Sequence, residues 1–260
     1  MKRLGCLLLM FCLAHTLTAE DRYVIGIHGL LSRSCDMRCI CTSFTHAGLD
    51  VYLWEYPSTE GTICEHAQNL VQFLQYIAQC RPEQPIDFVT HSVGALILRQ
   101  ALNVADCPEE AKTGRAVLLA PTNQGSRLAR ESKGVLPIHI GLGSKLGYEL
   151  MTYDPCTIQS IGPFPESLDI LVIAGCRGNN LLFNEPNDGF LAVSETALET
   201  PYSFESFKLK HGDLLVDPCV LQTAYTFILN GSGSKNPDQG QQEDAPDQAS
   251  EPTEEKTTVS

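Results

Sequence analysis

The chain has 260 residues, 43% of them hydrophobic, and a formal net charge of −13. That length spans one or two domains, and the apolar share is enough to bury a substantial core. The acidic balance excludes a non-specific nucleic-acid binder, because affinity for phosphate backbones rests on a basic surface.

Residues 1–19 read as a signal peptide for export. Lys2 and Arg3 form a positive start, residues 4–13 an apolar run, and Thr16-Leu17-Thr18-Ala19 a small-residue exit with cleavage after Ala19. The apolar run is too short for a membrane span, which needs about 20 residues. A first strand is expected over Tyr23–His28, then a helix over Met37–Ala47 that stops at Gly48. A strand over Val51–Trp54 is closed by Tyr56-Pro57. Thr62–Gln79 reads as an amphipathic helix with Ile63, Leu70, Phe73, Leu74 and Ile77 on one face. Further strands are expected at Ile86–Val89, Ala116–Ala120, Leu168–Ala174 and Phe204–Leu209, with helices at Gly94–Leu102 and Val220–Leu229. This alternation predicts a single α/β domain over 20–230. It has about six mostly parallel strands, right-handed crossovers and helices on both faces.

Two segments stand apart. Residues 122–162 are rich in glycine and isolated apolar residues without clean periodicity, and they read as a small lid-like insert. Residues 231–260 carry seven acidic and two basic residues and few large apolar ones, so a disordered acidic tail is expected. Nine of the eleven cysteines lie outside the signal peptide. In an exported chain some of them should pair, with connectivity open and at least one thiol left over. Cys35-x3-Cys39-x-Cys41 lacks the paired spacing of a zinc site, so no metal and no cofactor is expected.

The chemistry-bearing motif is Thr90-His91-Ser92-Val93-Gly94, set between the strand at 86–89 and the helix at 94–102. A sharp strand-to-helix turn lifts a serine hydroxyl above the sheet and places a helix N-terminus beneath it. Acyl transfer by such a serine needs a base, an acid that orients the base, and donors for the oxyanion. His211, after the last strand, is the expected base. Asp188, in the turn Glu185-Pro186-Asn187-Asp188-Gly189, is the expected acid, with Glu185, Asp213 and Asp154 as lesser candidates. An Asp-Gly pair also serves simply as a turn. After the first strand, His28 and Gly29 shape a tight turn that frees the Leu30 N–H, and the N–H of Val93 completes the expected oxyanion hole. His91 is expected to point away from Ser92 and to take no part. All these pieces fall at the carboxyl ends of strands, where parallel α/β sheets bind ligands.

Residues 23–230 resemble bacterial hydrolases of the α/β-hydrolase fold, of the lipase and esterase type. The matching stretches are 24–31, 89–95, Ala120-Pro121-Thr122-Asn123-Gln124-Gly125-Ser126, Pro186-Asn187-Asp188-Gly189 and Lys210-His211-Gly212. The resemblance implies a Ser92-His211-Asp188 triad and a compact fold without a large cap. Thr90 stands where many such elbows carry glycine, and threonine also occurs there. The expected activity is hydrolysis of carboxylic esters, including lipid esters, by an exported enzyme. Its partners would be a small-molecule or lipid ester and an anionic membrane surface met through 122–162. Two alternatives stand beside it: a thioesterase or acyltransferase with the same triad, and a non-catalytic envelope module linked by its cysteines. The sequence does not set the oligomeric state.

Overall fold

The computed structural model describes residues 22–132, 145–152 and 155–232. Its strands are β1 (Tyr23–Ile27), β2 (Asp50–Trp54), β3 (Ile86–His91), β4 (Arg115–Leu119), β5 (Asp169–Gly175) and β6 (Ser203–Phe207). They form one sheet in the order β2-β1-β3-β4-β5-β6. Every pairing is parallel. β1, β3, β4 and β5 are buried along almost their whole length, which is why they read as unbroken apolar runs. The chain steps from β1 outward to β2, then returns past β1 to β3. The loops after β1 and β3 therefore leave in opposite directions and open a crevice at the carboxyl edge.

The pleat divides the core in two. Tyr23, Ile25, Ile27, Ile86, Phe88, Leu118 and Val172 face one cluster, with α2 (Ile63–Cys80) and α3 (Gly94–Leu102) packed over it. Val24, Val89, Val117, Leu119, Leu171 and Ile173 face the other, which is covered by α1 (Arg38–His46) and by the last helix, Pro218–Asn230. Local chemistry sets the helix starts. The Thr62 hydroxyl accepts from the Glu65 N–H at 3.1 Å and the Glu65 carboxylate accepts from the Thr62 N–H at 2.8 Å. At the amino edge of the sheet, buried Asp87 takes two hydrogen bonds from Arg22, each 2.6 Å, and one of 2.7 Å from the Arg115 N–H.

Most element bounds fall within one or two residues of the sequence expectation. The first helix is one residue shorter at each end. A 3-10 turn over Ser34–Met37 precedes α1, and Gly48 ends the segment at φ +83°. The described parts of 122–162 are not irregular: they form α4 (Arg127–Glu131), α5 (Lys145–Thr152) and α6 (Pro155–Ser160). Leu146, Leu150, Met151, Ile158 and Ile161 are buried in the α2/α3 cluster. These helices are too short and too interrupted to show a 3.6-residue period. Both ends of the segment are tied to α3 by the buried Arg99 guanidinium, which donates to the carbonyls of Asn123 (3.1 Å), Ile158 (2.8 Å) and Gly162 (2.5 Å). The signal peptide, residues 133–144 of the insert, Asp154 and the tail beyond 232 lie outside the described residues.

The disulfide pairing expected of the cysteines is not seen among eight of them. Cys35, Cys39, Cys41, Cys64, Cys80, Cys107, Cys176 and Cys219 all carry free thiols. Cys41 and Cys107 are core residues, and burial pushes their thiols up to about 12 and about 11. Cys64 and Cys80 occupy opposite ends of α2, about 24 Å apart by helix geometry, far beyond the reach of a disulfide.

Candidate active site

Ser92 sits between β3 and α3 at φ +55°, in the left-handed region. For a residue with a Cβ this conformation costs on the order of 1–3 kcal/mol and persists only where its surroundings enforce it. Three hydrogen bonds do so. The Ser92 N–H donates to the Leu119 carbonyl at 2.9 Å, and the Ser92 carbonyl accepts from Ala95 at 3.2 Å and Thr122 at 3.4 Å. The loop after β1 presses against the turn. A Cβ on Gly94 would lie 2.6 Å from the His28 carbonyl oxygen, and one on Gly29 would lie 3.0 Å from the Ser92 Cβ. Thr90 is fully buried with its hydroxyl unpartnered, so the first elbow position accepts a threonine at the cost of a desolvated oxygen.

His28 explains how that loop is aimed. Its ring is buried and stacks on Tyr56 at 4.2 Å, and the Tyr56 hydroxyl donates to the His28 carbonyl at 2.9 Å. Its Nδ1 donates to the Gly29 carbonyl at 2.9 Å. Burial lowers the His28 pKa, which keeps the ring neutral and the Nδ1–H tautomer available. The peptide plane is rigid, so fixing the Gly29 carbonyl also fixes the opposed direction of the Leu30 N–H. Neither the Leu30 nor the Val93 N–H is taken up by an acceptor among the described residues.

Asp188 is buried in the turn after β5. One oxygen accepts from the N–H groups of Phe190 and Leu191, both at 2.8 Å, and the other meets His211 Nδ1 at 2.7 Å. Burial acts to raise the Asp188 carboxyl, but the His211 bond and charge, with the two N–H donors, outweigh it and hold the group below the usual carboxylate range. The His211 N–H also donates to the Asp188 carbonyl at 3.1 Å. Of the lesser candidates, Glu185 is engaged elsewhere, 3.6 Å from Arg127.

Ser92 and His211 line one cavity of about 360 Å³. Its remaining wall is mainly apolar, from Leu30, Leu31, Leu128, Leu150, Phe190 and Leu191, and among the described residues no Asp, Glu, Lys or Arg lines it. Leu31 and Phe190 are 60% and 59% exposed at this wall. His91 lines it too. Its ring lies 4.6 Å from that of His211, and its Nε2 is 3.2 Å from the His211 carbonyl oxygen. Strand alternation alone does not show this, because the contact comes from a loop 120 residues later. Among the described residues no cluster of His, Cys, Asp and Glu is arranged to hold a metal ion.

Comparison with known structures places the fold. A Bacillus licheniformis lipase in its mature form superposes with a TM-score of 0.66 at 16% identity, over 79% of this chain and 91% of that one. The chain has the α/β-hydrolase fold. Two further α/β-hydrolase matches are a metagenomic carboxyl esterase (TM-score 0.58, 17% identity, 75% of this chain and 66% of that one) and a Legionella pneumophila phospholipase (TM-score 0.56, 17% identity, 73% and 53%). Residues 18–120, which carry the β1 loop and Ser92, match a family model described as "Putative serine esterase" (DUF676). No curated protein matches the sequence.

Proposed function

We propose that the protein is an exported serine hydrolase that cleaves carboxylic esters, among them lipid esters, through an acyl-enzyme. The observation that carries this reading is the His211 imidazole, bonded to the buried Asp188 carboxylate at 2.7 Å and sharing one apolar cavity with Ser92 on its left-handed turn. The reading draws further support from the lipase and esterase names of the structural matches and from the serine esterase model over the nucleophile half.

The steps follow from the atoms. Asp188 keeps the proton on His211 Nδ1, which leaves Nε2 free to take the Ser92 proton. The Ser92 oxygen attacks the ester carbonyl. The developing oxyanion is received by the Leu30 and Val93 N–H groups, a pair whose single loss typically costs about 3 kcal/mol. The tetrahedral intermediate collapses as His211 returns the proton to the leaving alcohol. Water activated by the same imidazole then releases the acid and regenerates the hydroxyl. An uncharged acyl chain suits a wall of leucines and Phe190. The exposed Leu31 and Phe190 offer apolar contact with a lipid surface at the cavity itself, whereas Leu146, Leu150 and Met151 of the insert face inward.

The test is turnover of p-nitrophenyl esters of graded acyl length. The wild type is expected to hydrolyse them, and Ser92→Ala to lower kcat by about 10⁴-fold or more. Undiminished turnover in Ser92→Ala overturns the proposal.

A further inference from the structure

We propose that His91 is a positioning residue that locks the base loop to the nucleophile turn through a hydrogen bond from its Nε2 to the His211 carbonyl. This inference rests on the serine hydrolase reading of the site and adds to it a residue outside the triad and the oxyanion hole.

The geometry supports it at both ends. His91 directly precedes Ser92 and its side chain is buried, so packing holds the ring beside the nucleophile turn. The His211 carbonyl can only accept, so at 3.2 Å the His91 Nε2 must carry the hydrogen. The base segment is then held at three points. Its ring is bonded to the Asp188 carboxylate, its N–H to the Asp188 carbonyl, and its own carbonyl to His91. The first two bonds fix His211 against Asp188 only. Among these three, the His91 bond is the one that refers the base to the nucleophile turn, across 120 residues of sequence. The two imidazoles lie 4.6 Å apart at 48°, a tilted contact that resists rotation of the His211 segment.

The environment keeps His91 in the form this role requires. Burial, followed by the proximity of His211, pushes its pKa down to about 3. The ring therefore stays neutral while the base works and sets no second cation beside it. Its Nδ1 is buried without a partner among the described residues and lies against Gly29, where a Cβ would come within 3.2 Å. Only the Nε2 side is engaged, which gives the ring a single bonding task.

The amide of glutamine places its nitrogen near the Nε2 position of histidine, while that of asparagine stops short of it. His91→Gln is therefore the donor-preserving variant, and His91→Asn and His91→Leu are the donor-removing ones. Misplacement of a catalytic group by about 1 Å can cost on the order of 100-fold. With a p-nitrophenyl ester as substrate, kcat is expected to fall about 10- to 100-fold in the Asn and Leu variants. KM should stay within about twofold, and Gln should recover most of kcat. Fluorophosphonate labelling rates should follow the same order, and melting curves establish that each variant is folded. Wild-type kcat in the Asn or Leu variant overturns the inference, as does an equal loss in Gln, Asn and Leu, or a change confined to KM. If the Leu variant does not fold, the Gln–Asn comparison decides alone. A wild type that labels at Ser92 but shows no Gln–Asn difference removes the role of His91 and leaves the hydrolase standing. A wild type that neither labels nor turns over removes both.

Discussion

Ser92 occupies a backbone conformation that a serine adopts at a cost, and its neighbours show why it stays there. Gly94 and Gly29 let the β1 loop close within van der Waals distance, and three backbone bonds hold the turn. In the proposed mechanism Asp188 is the second residue on which the chemistry depends, because its carboxylate, 2.7 Å from His211 Nδ1, selects the His211 tautomer. Asp188→Asn keeps the size of the side chain but offers an amide where His211 Nδ1–H needs an acceptor anion. Its kcat is expected to fall about 10⁴-fold, as for other triads that lose this carboxylate. The check is steady-state kinetics beside a melting curve, and a loss of less than tenfold would show that Asp188 does not orient the base. Ser92, His211, Asp188 and Gly94 were singled out in the sequence because each sits near a strand end with a distinctive neighbour, and the structure brings Ser92 and His211 to one cavity with Asp188 bonded to His211. His91 and Tyr56 were not. One is recruited by a carbonyl far along the chain and the other by stacking on His28, and neither contact leaves a periodic trace.

At the scale of elements, the loops that leave the carboxyl ends of β1, β3, β5 and β6 carry Leu30, Ser92, Asp188 and His211, the residues proposed as oxyanion donor, nucleophile, acid and base. The switch between β1 and β3 sets the Leu30 and Ser92 loops side by side. Gly94 is the narrowest point of that junction, since its Cα faces the carbonyls of Ile27 and His28. Gly94→Ala is therefore expected to displace the β1 loop from α3 and to lower kcat at least tenfold, with a lower melting temperature. A fully active, equally stable Gly94→Ala protein would mean that the loop tolerates the shift. The buried strands were readable as apolar runs, and α2 and α3 as amphipathic or apolar helices. Edge strand β6 was expected to run to Leu209 but ends at Phe207, since an exposed strand lacks the burial that sharpens its pattern. The short helices of 127–160 were hidden for a different reason. Each is one to two turns long, and Arg99 and core contacts hold them in place of any strong propensity of their own.

At the scale of the whole molecule, the chain is acidic, yet among the described residues the cavity wall carries no carboxylate, and Asp188 lies behind His211. No disulfide joins the eight described cysteines. Cysteine count and an export signal speak of compartment, whereas the spacing of thiols in the fold decides which of them can meet. The central claim is that the Ser92 hydroxyl is an activated nucleophile. The direct measurement is reaction of the folded protein with a fluorophosphonate, followed by mass spectrometry of the peptide that contains residue 92. One adduct on Ser92 in the wild type, and none in Ser92→Ala or in the unfolded chain, is the predicted result. An unlabelled wild type, or labelling that survives Ser92→Ala, would contradict it.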